Sequence, residues 1–199
     1  LTLKPAVLEQ VVKTLEEYST TDTDTDDPAV AYFHQGIFLC RKNQIGPALA
    51  SFHKALESRR DFAEAFASIG YLYASIALLF KDVVFTQWAA DFYRWALELR
   101  PNYSEVYLHL GNLCQSLGHT EAADCWRRAI DNNPELPEAH LKLSIDLIRR
   151  EKKIAEGLEH FEKALALKPD WIEAYAITHF DDLYLEGQLE PQIAEYYEN

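Results

Sequence analysis

Large apolar side chains return along the chain at helical spacing and in a repeating phrase: an aromatic, two residues, an alanine, four residues and a proline. The phrase reads Tyr93, Ala96, Pro101; Trp126, Ala129, Pro134; and Phe161, Ala164, Pro169. Phe52 and Ala55 make a weaker first copy, with Arg60 where the proline would stand. Three residues are almost one helical turn, so each aromatic shares a buried stripe with its alanine. The proline cannot continue a helix interior and ends the unit. A second phrase precedes each of these: Tyr32 with Gly36, Phe66 with Gly70, Tyr107 with Gly111, and His140 with Ser144 in a degenerate copy. Glycine inside a helix costs about 1 kcal/mol against alanine, so its recurrence four residues after a large side chain predicts close helix contact. Turn signals at Lys42 to Gly46, Leu117 to Thr120 and Arg150 to Lys153 lie between the phrases. Each unit is thus a helix, a turn and a helix.

These phrases resemble the signature of the tetratricopeptide repeat, whose period is 34 residues. Phe52, Tyr93, Trp126 and Phe161 are spaced 41, 33 and 35 residues apart. The resemblance covers about Pro28 to Trp171 and implies an all-α fold, a right-handed superhelical array of helix-turn-helix repeats, or α-solenoid. It predicts four full repeats over residues 28–62, 63–103, 104–136 and 137–171, with partial ends at 1–27 and 172–199. Within 1–27, Ala6 to Glu17 read as an amphipathic helix with Val7, Leu8, Val11, Val12 and Leu15 on its apolar side. Ser19 to Asp27 form a Thr/Asp-rich linker, and Asp27 before Pro28 is a cap and first-turn pair. Leu1, Leu3, Lys4 and Pro5 match Leu165, Leu167, Lys168 and Pro169, the close of a preceding repeat. Ile172 to about Leu185 and Pro191 to Tyr197 read as a partial fifth repeat or capping helix; if both ends are partial repeats, the chain is a segment of a longer protein.

The 41-residue interval carries seven extra residues between Tyr73 and Ala89. Seven residues are about two helical turns, so both packing stripes keep their phase if each helix gains one turn. The expectation is a first helix running through Phe80, a bend at Lys81 and Asp82, and a second helix from about Val84. Such a hairpin stands roughly 5 Å taller than its neighbours. Its apolar tip, made by Leu78, Leu79, Phe80, Val83, Val84 and Phe85, is predicted to dock a partner or a second copy of the chain, unless the N-terminal helix folds over it.

Composition narrows the function. The 199 residues are 48% hydrophobic and 13% aromatic, enough to bury a core. A formal charge of −13 disfavours nucleic acid and anionic membrane surfaces as partners. The longest uncharged stretch, Ala65 to Phe80, is short and polar for membrane insertion. Three cysteines, Cys40, Cys114 and Cys125, fit a reducing compartment, and the expected location is cytoplasmic. No phosphate loop, nucleophile signature or zinc spacing is visible: His109, Cys114, His119 and Cys125 do not match a known short metal motif. No catalytic residue, metal or cofactor is assigned, and the chain is read as a non-enzyme.

What the resemblance implies is a scaffold that holds a partner protein or peptide in a concave groove lined by the first helix of each unit. Mapped onto this chain, the groove takes Phe33, His34 and Ile37; Glu64, Ala67, Ser68 and Tyr71; Glu105, Leu108, His109 and Asn112; and Glu138, Leu141, Lys142, Ile145 and Arg149. The floor is apolar and aromatic with a basic end at Lys142 and Arg149, which suits an extended peptide with apolar anchors and an acidic group. The two-carboxylate clamp of chaperone-tail binders is not matched, because Phe33 and Ile37 stand at its first Lys and Asn places. The alternative is a substrate-recruiting segment of a larger enzyme such as a glycosyltransferase or methyltransferase.

Overall fold

The computed structural model describes residues 2–19 and 26–169; the expected fifth-repeat elements lie outside them. Nine α-helices occur among the described residues: α1 (Pro5–Tyr18), α2 (Pro28–Arg41), α3 (Ile45–Ser58), α4 (Ala63–Phe80), α5 (Val83–Leu99), α6 (Ser104–Ser116), α7 (Ala122–Asn132), α8 (Pro137–Asp146) and α9 (Ile154–Leu167). A π-helical stretch, Leu147–Glu151, continues α8, and the described residues include no strand. Packing divides the chain into a unit of residues 1–122 and a unit of residues 123–199.

In the first unit, α2 with α3 and α4 with α5 form hairpins, α3 packs on α4, and α5 packs on α6. Local chemistry sets the helix ends. Asp27 accepts the Ala29 N–H at 2.7 Å while Pro28 opens the first turn of α2. Asn43 takes a φ of 56° in the turn to α3, a left-handed conformation that asparagine tolerates.

The two sequence phrases turn out to be complementary halves of one contact. A Cβ on Gly36 would stand 2.5 Å from the Phe52 ring, and one on Gly70 would stand 2.8 Å from the Tyr93 ring. Gly36 and Gly70 therefore each receive the aromatic of the second helix. A further repeat appears at the joints, where the Arg59 guanidinium lies 3.8 Å over Phe62 and that of Arg100 lies 4.3 Å over Tyr103. In each case the arginine ends one hairpin and the ring opens the next.

The extra residues fall where helical phase requires. α4 has 18 residues and α5 has 17, against 14 in each of α2 and α3. Lys81 makes the bend at φ 52°, and Asp82 caps α5 by accepting the Val84 N–H at 2.8 Å. By length and composition α4 is apolar enough to cross a membrane. Most of it is nevertheless buried: Ala63, Ala65, Ala67, Ile69, Leu72, Ile76 and Ala77 pack inside the fold, and its exposed apolar residues gather at the tip.

In the second unit α8 packs on α9. The degenerate phrase is repaired from the opposite helix. Ser144 occupies the usual glycine place, and the small residue is Gly157 of α9, whose Cα faces Ile148 and the Ser144 carbonyl so closely that a Cβ would collide.

Candidate protein-interaction surfaces

α1 buries Val11, Leu15 and Tyr18, with Thr14 beside them. It lies across α2 and α4, not over the α4–α5 tip. At its start the Asn43 side chain grips the backbone of Leu3, accepting its N–H at 2.7 Å and donating to its carbonyl at 2.8 Å. Near its end Glu16 pairs with Arg41 at 2.6 Å. Tyr18, 2% exposed, enters a cage of rings: Tyr103 at 5.5 Å, His109 at 6.2 Å and Tyr71 at 6.5 Å between centroids, all edge-on. The cage is tight, with Tyr71 at 4.8 Å from His109, and Tyr93 stacked on His109 at 6.3 Å. Burial pushes the His109 imidazole down to about 4, so it is neutral at neutral pH, and raises the Tyr18 phenol well above its usual range. The hydroxyls of Tyr18 and Tyr103 are buried without a hydrogen-bond partner among the described residues. Tyr18 was missed in the sequence, although its place seven residues after Val11 and three after Leu15 continues the apolar face.

The groove residues divide into two sets. Phe33, Ile37 and Ile145 are buried, at 2%, 4% and 8% exposed. Phe33 is closed in by Phe52 at 5.4 Å and Phe62 at 5.1 Å, so it belongs to the joint between hairpins. Ala67, Ser68, Leu108 and Leu141 are buried too, and Glu64 pairs with Arg100 at 3.3 Å. A helical count supplies the direction of a side chain but not how far the neighbouring helix covers it. In the first unit His34 is exposed, Asn112 is half-buried, and Tyr71 and His109 line the Tyr18 cage. In the second unit Lys142 is half-buried, and Arg149 is exposed on the π-helical stretch, whose wider turn departs from the assumed register.

At the hairpin tip, Leu78, Phe80, Val83 and Val84 are 53–72% exposed, while Leu79 and Phe85 are half-buried. The apolar surface continues along α5, where Trp88, Trp95 and Leu99 are all more than two-fifths exposed. Ring contacts join the strip: Trp88 to Tyr73 at 5.3 Å, Tyr73 to Phe92 at 5.6 Å, Phe92 to Trp95 at 5.1 Å, and Trp95 to Phe66 at 5.9 Å. The tryptophans escaped the sequence reading, though Val84, Trp88, Trp95 and Leu99 have the spacing of one helix face.

Cys114, His119 and Glu121 bring one ligand atom each within 4.8 Å of one another, the described donor set that could take a soft divalent ion. The turn accounts for their closeness: Gly118 at φ 71° folds the chain back, and the His119 N–H donates to the Cys114 carbonyl at 2.9 Å. In the second unit, His140 Nε2 lies 3.0 Å from the Pro134 carbonyl, and its Nδ1 lies 2.9 Å from Nδ1 of His160. A carbonyl only accepts, so His140 carries its proton on Nε2 and accepts from His160. Burial lowers the pKa of both rings.

No protein-family model matches the chain, and no curated protein matches it in sequence. Solved structures do match in fold. A crystal structure of MamA superposes with a TM-score of 0.68 at 20% identity, over 87% of this chain and 90% of that one. YrrB, described as a TPR protein with an unusual peptide-binding site, gives 0.64 at 22% identity over 92% and 87%. A thermophilic TPR protein of Thermus thermophilus, TTC0263, gives 0.60 at 18% identity over 83% and 84%. The fold is therefore that of the tetratricopeptide repeat proteins: all-α, built from helix-turn-helix repeats.

Proposed function

We propose that the chain is a cytoplasmic protein-interaction scaffold, acting by surface recognition rather than catalysis. The observation that carries this reading is the aromatic strip of α4 and α5, where Trp88 and Trp95 are 45% and 44% exposed beside a more exposed tip. Leaving apolar area in water forgoes about 25 cal/mol per Å², and a contiguous patch of this kind marks a protein-binding surface. Tryptophan is also enriched among residues that dominate binding energy. Charges border it, with Arg60 and Glu98 beside Trp95. Within the first unit, His34, Tyr71, His109 and Asn112 are the candidate contacts for a peptide's apolar groups. Within the second unit, taken by itself, Lys142 and Arg149 are the candidate contacts for an acidic group. The likeness to a peptide-binding TPR protein supports the class of function. Three free cysteines agree with a reducing compartment.

A photo-crosslinking amino acid placed at position 88 or 95 of the full chain in its native cells tests the reading. A discrete protein adduct at these positions, absent from the exposed α3 position 57, is expected. Equal capture at position 57, or none at 88 and 95, overturns it.

A further inference from the structure

We propose that the face formed by α2, α4 and α6 is a receptor for an amphipathic helix with apolar anchors at i and i+4 and an aromatic at i+7, and that α1 is a tethered resident which a partner's helix displaces. The proposal rests on the scaffold reading and names its ligand class, a helix in place of the extended peptide expected from the sequence.

The packing pattern separates α1 from the repeat stack. Each second helix links two consecutive first helices: α3 touches α2 and α4, and α5 touches α4 and α6. α1 also touches α2 and α4, a pair that α3 already joins, so it occupies another side of them. Its manner of binding is that of a helix laid in a groove, with Val11, Leu15 and Tyr18 buried at i, i+4 and i+7. Tyr18 reaches beyond the two helices into the cage of Tyr103 and His109, a deep aromatic pocket at the far end of the seat.

Two features make α1 replaceable. Its anchor fits imperfectly, since the Tyr18 and Tyr103 hydroxyls lose water without gaining a partner among the described residues, and buried polar groups left so cost free energy. The second feature is the covalent link. Being part of the same chain makes the binding of α1 intramolecular, which lets a weak occupant hold the site until a better one arrives. The Glu16–Arg41 pair at the rim specifies an acidic residue just before the aromatic anchor. A displacing helix therefore needs an aliphatic pair, an acidic residue and an aromatic that completes the hydrogen bonding of the cage.

The probe is a fluorescein-labelled peptide with the sequence of residues 3–19, added to the full chain and read by anisotropy. The wild type holds its own α1 and is expected to bind the probe weakly. The full-length Leu15→Ala/Tyr18→Ala variant, whose resident is weakened, is expected to bind it at least ~10-fold more tightly, because apparent affinity scales with the open fraction. A peptide carrying Tyr18→Ala should fail on both. Equal binding by wild type and variant, or none by either, overturns the proposal. Should the variant not fold, hydrogen exchange on the wild type decides: α1 amides exchanging ~10-fold or more faster than those of α4 show separate release, and equal protection overturns it. Failure here with crosslinking at position 88 or 95 intact removes the helix receptor and leaves the scaffold.

Discussion

Gly36 and Gly70 leave room for an aromatic ring where any other residue would place a Cβ. Helix propensity alone favours alanine at both by about 1 kcal/mol. Packing opposes it, because Phe52 and Tyr93 are fully buried and their rings stand 2.5 and 2.8 Å from the would-be Cβ. Overpacking of this kind typically costs about 1–3 kcal/mol, so Gly36→Ala and Gly70→Ala are expected to destabilise, seen as a lowered urea midpoint. A raised midpoint would mean that the rings yield easily. At His109 the balance depends on pH. Its pKa in the fold is about 4, against 6.5 for an ordinary histidine. Between those values the unfolded chain binds the proton more readily, so the folded state has its full stability above pH 6.5 and loses it as pH falls toward 4. The loss is at most about 3 kcal/mol from this one group. Since carboxylates also titrate in acid, the measure is the difference between wild type and His109→Asn: the variant's thermal midpoint should fall less steeply from pH 7 to pH 4.5. Parallel slopes would show that His109 stays neutral for no energetic reason.

At the scale of elements, much of the chain was legible because helical phase is arithmetic. The seven-residue insertion had to be shared as whole turns to keep the Gly70–Tyr93 contact in register, which put the bend at Lys81 and Asp82, where the structure has it. Hairpins were readable for the same reason: Asp27 and Pro28 announce α2, and the aromatic and alanine stripe announces α3 and α5. What was not legible depends on contacts between elements. The apolar face of α1 predicts burial but names no partner, so its seat across α2 and α4 and the insertion of Tyr18 appear only in three dimensions. The burial of Phe33, Ile37 and Ile145 was not legible for a related reason. Their positions on the first helices were as counted, but all three side chains are buried, Phe33 beneath Phe52 and Phe62. The π-helical stretch at Leu147–Glu151 has no mark in a pattern read at 3.6 residues per turn.

For the molecule as a whole, a large negative charge and an uncovered aromatic strip act against each other. The formal charge of −13 makes every copy repel every other, while Trp88, Trp95 and the tip beside them favour contact. Salt separates the two effects. Repulsion reaches about 30 Å at 0.01 M ionic strength and only about 3 Å at 1 M, whereas apolar association is not weakened by ions in that way. A contact made through charges, such as an acidic partner on Lys142 and Arg149, should therefore weaken as salt rises, and one made through the strip should strengthen. The expected outcome is that light scattering finds the chain monomeric at about 10 mM sodium chloride and increasingly associated at about 500 mM, where screening is nearly complete. Trp88→Ser with Trp95→Ser should remove this rise; because both rings also pack on Tyr73, Phe92 and Phe66, circular dichroism must show that the double variant is still folded. A double variant that still associates with added salt would place the self-contact elsewhere. A wild type that remains monomeric throughout would reserve the strip for a different protein.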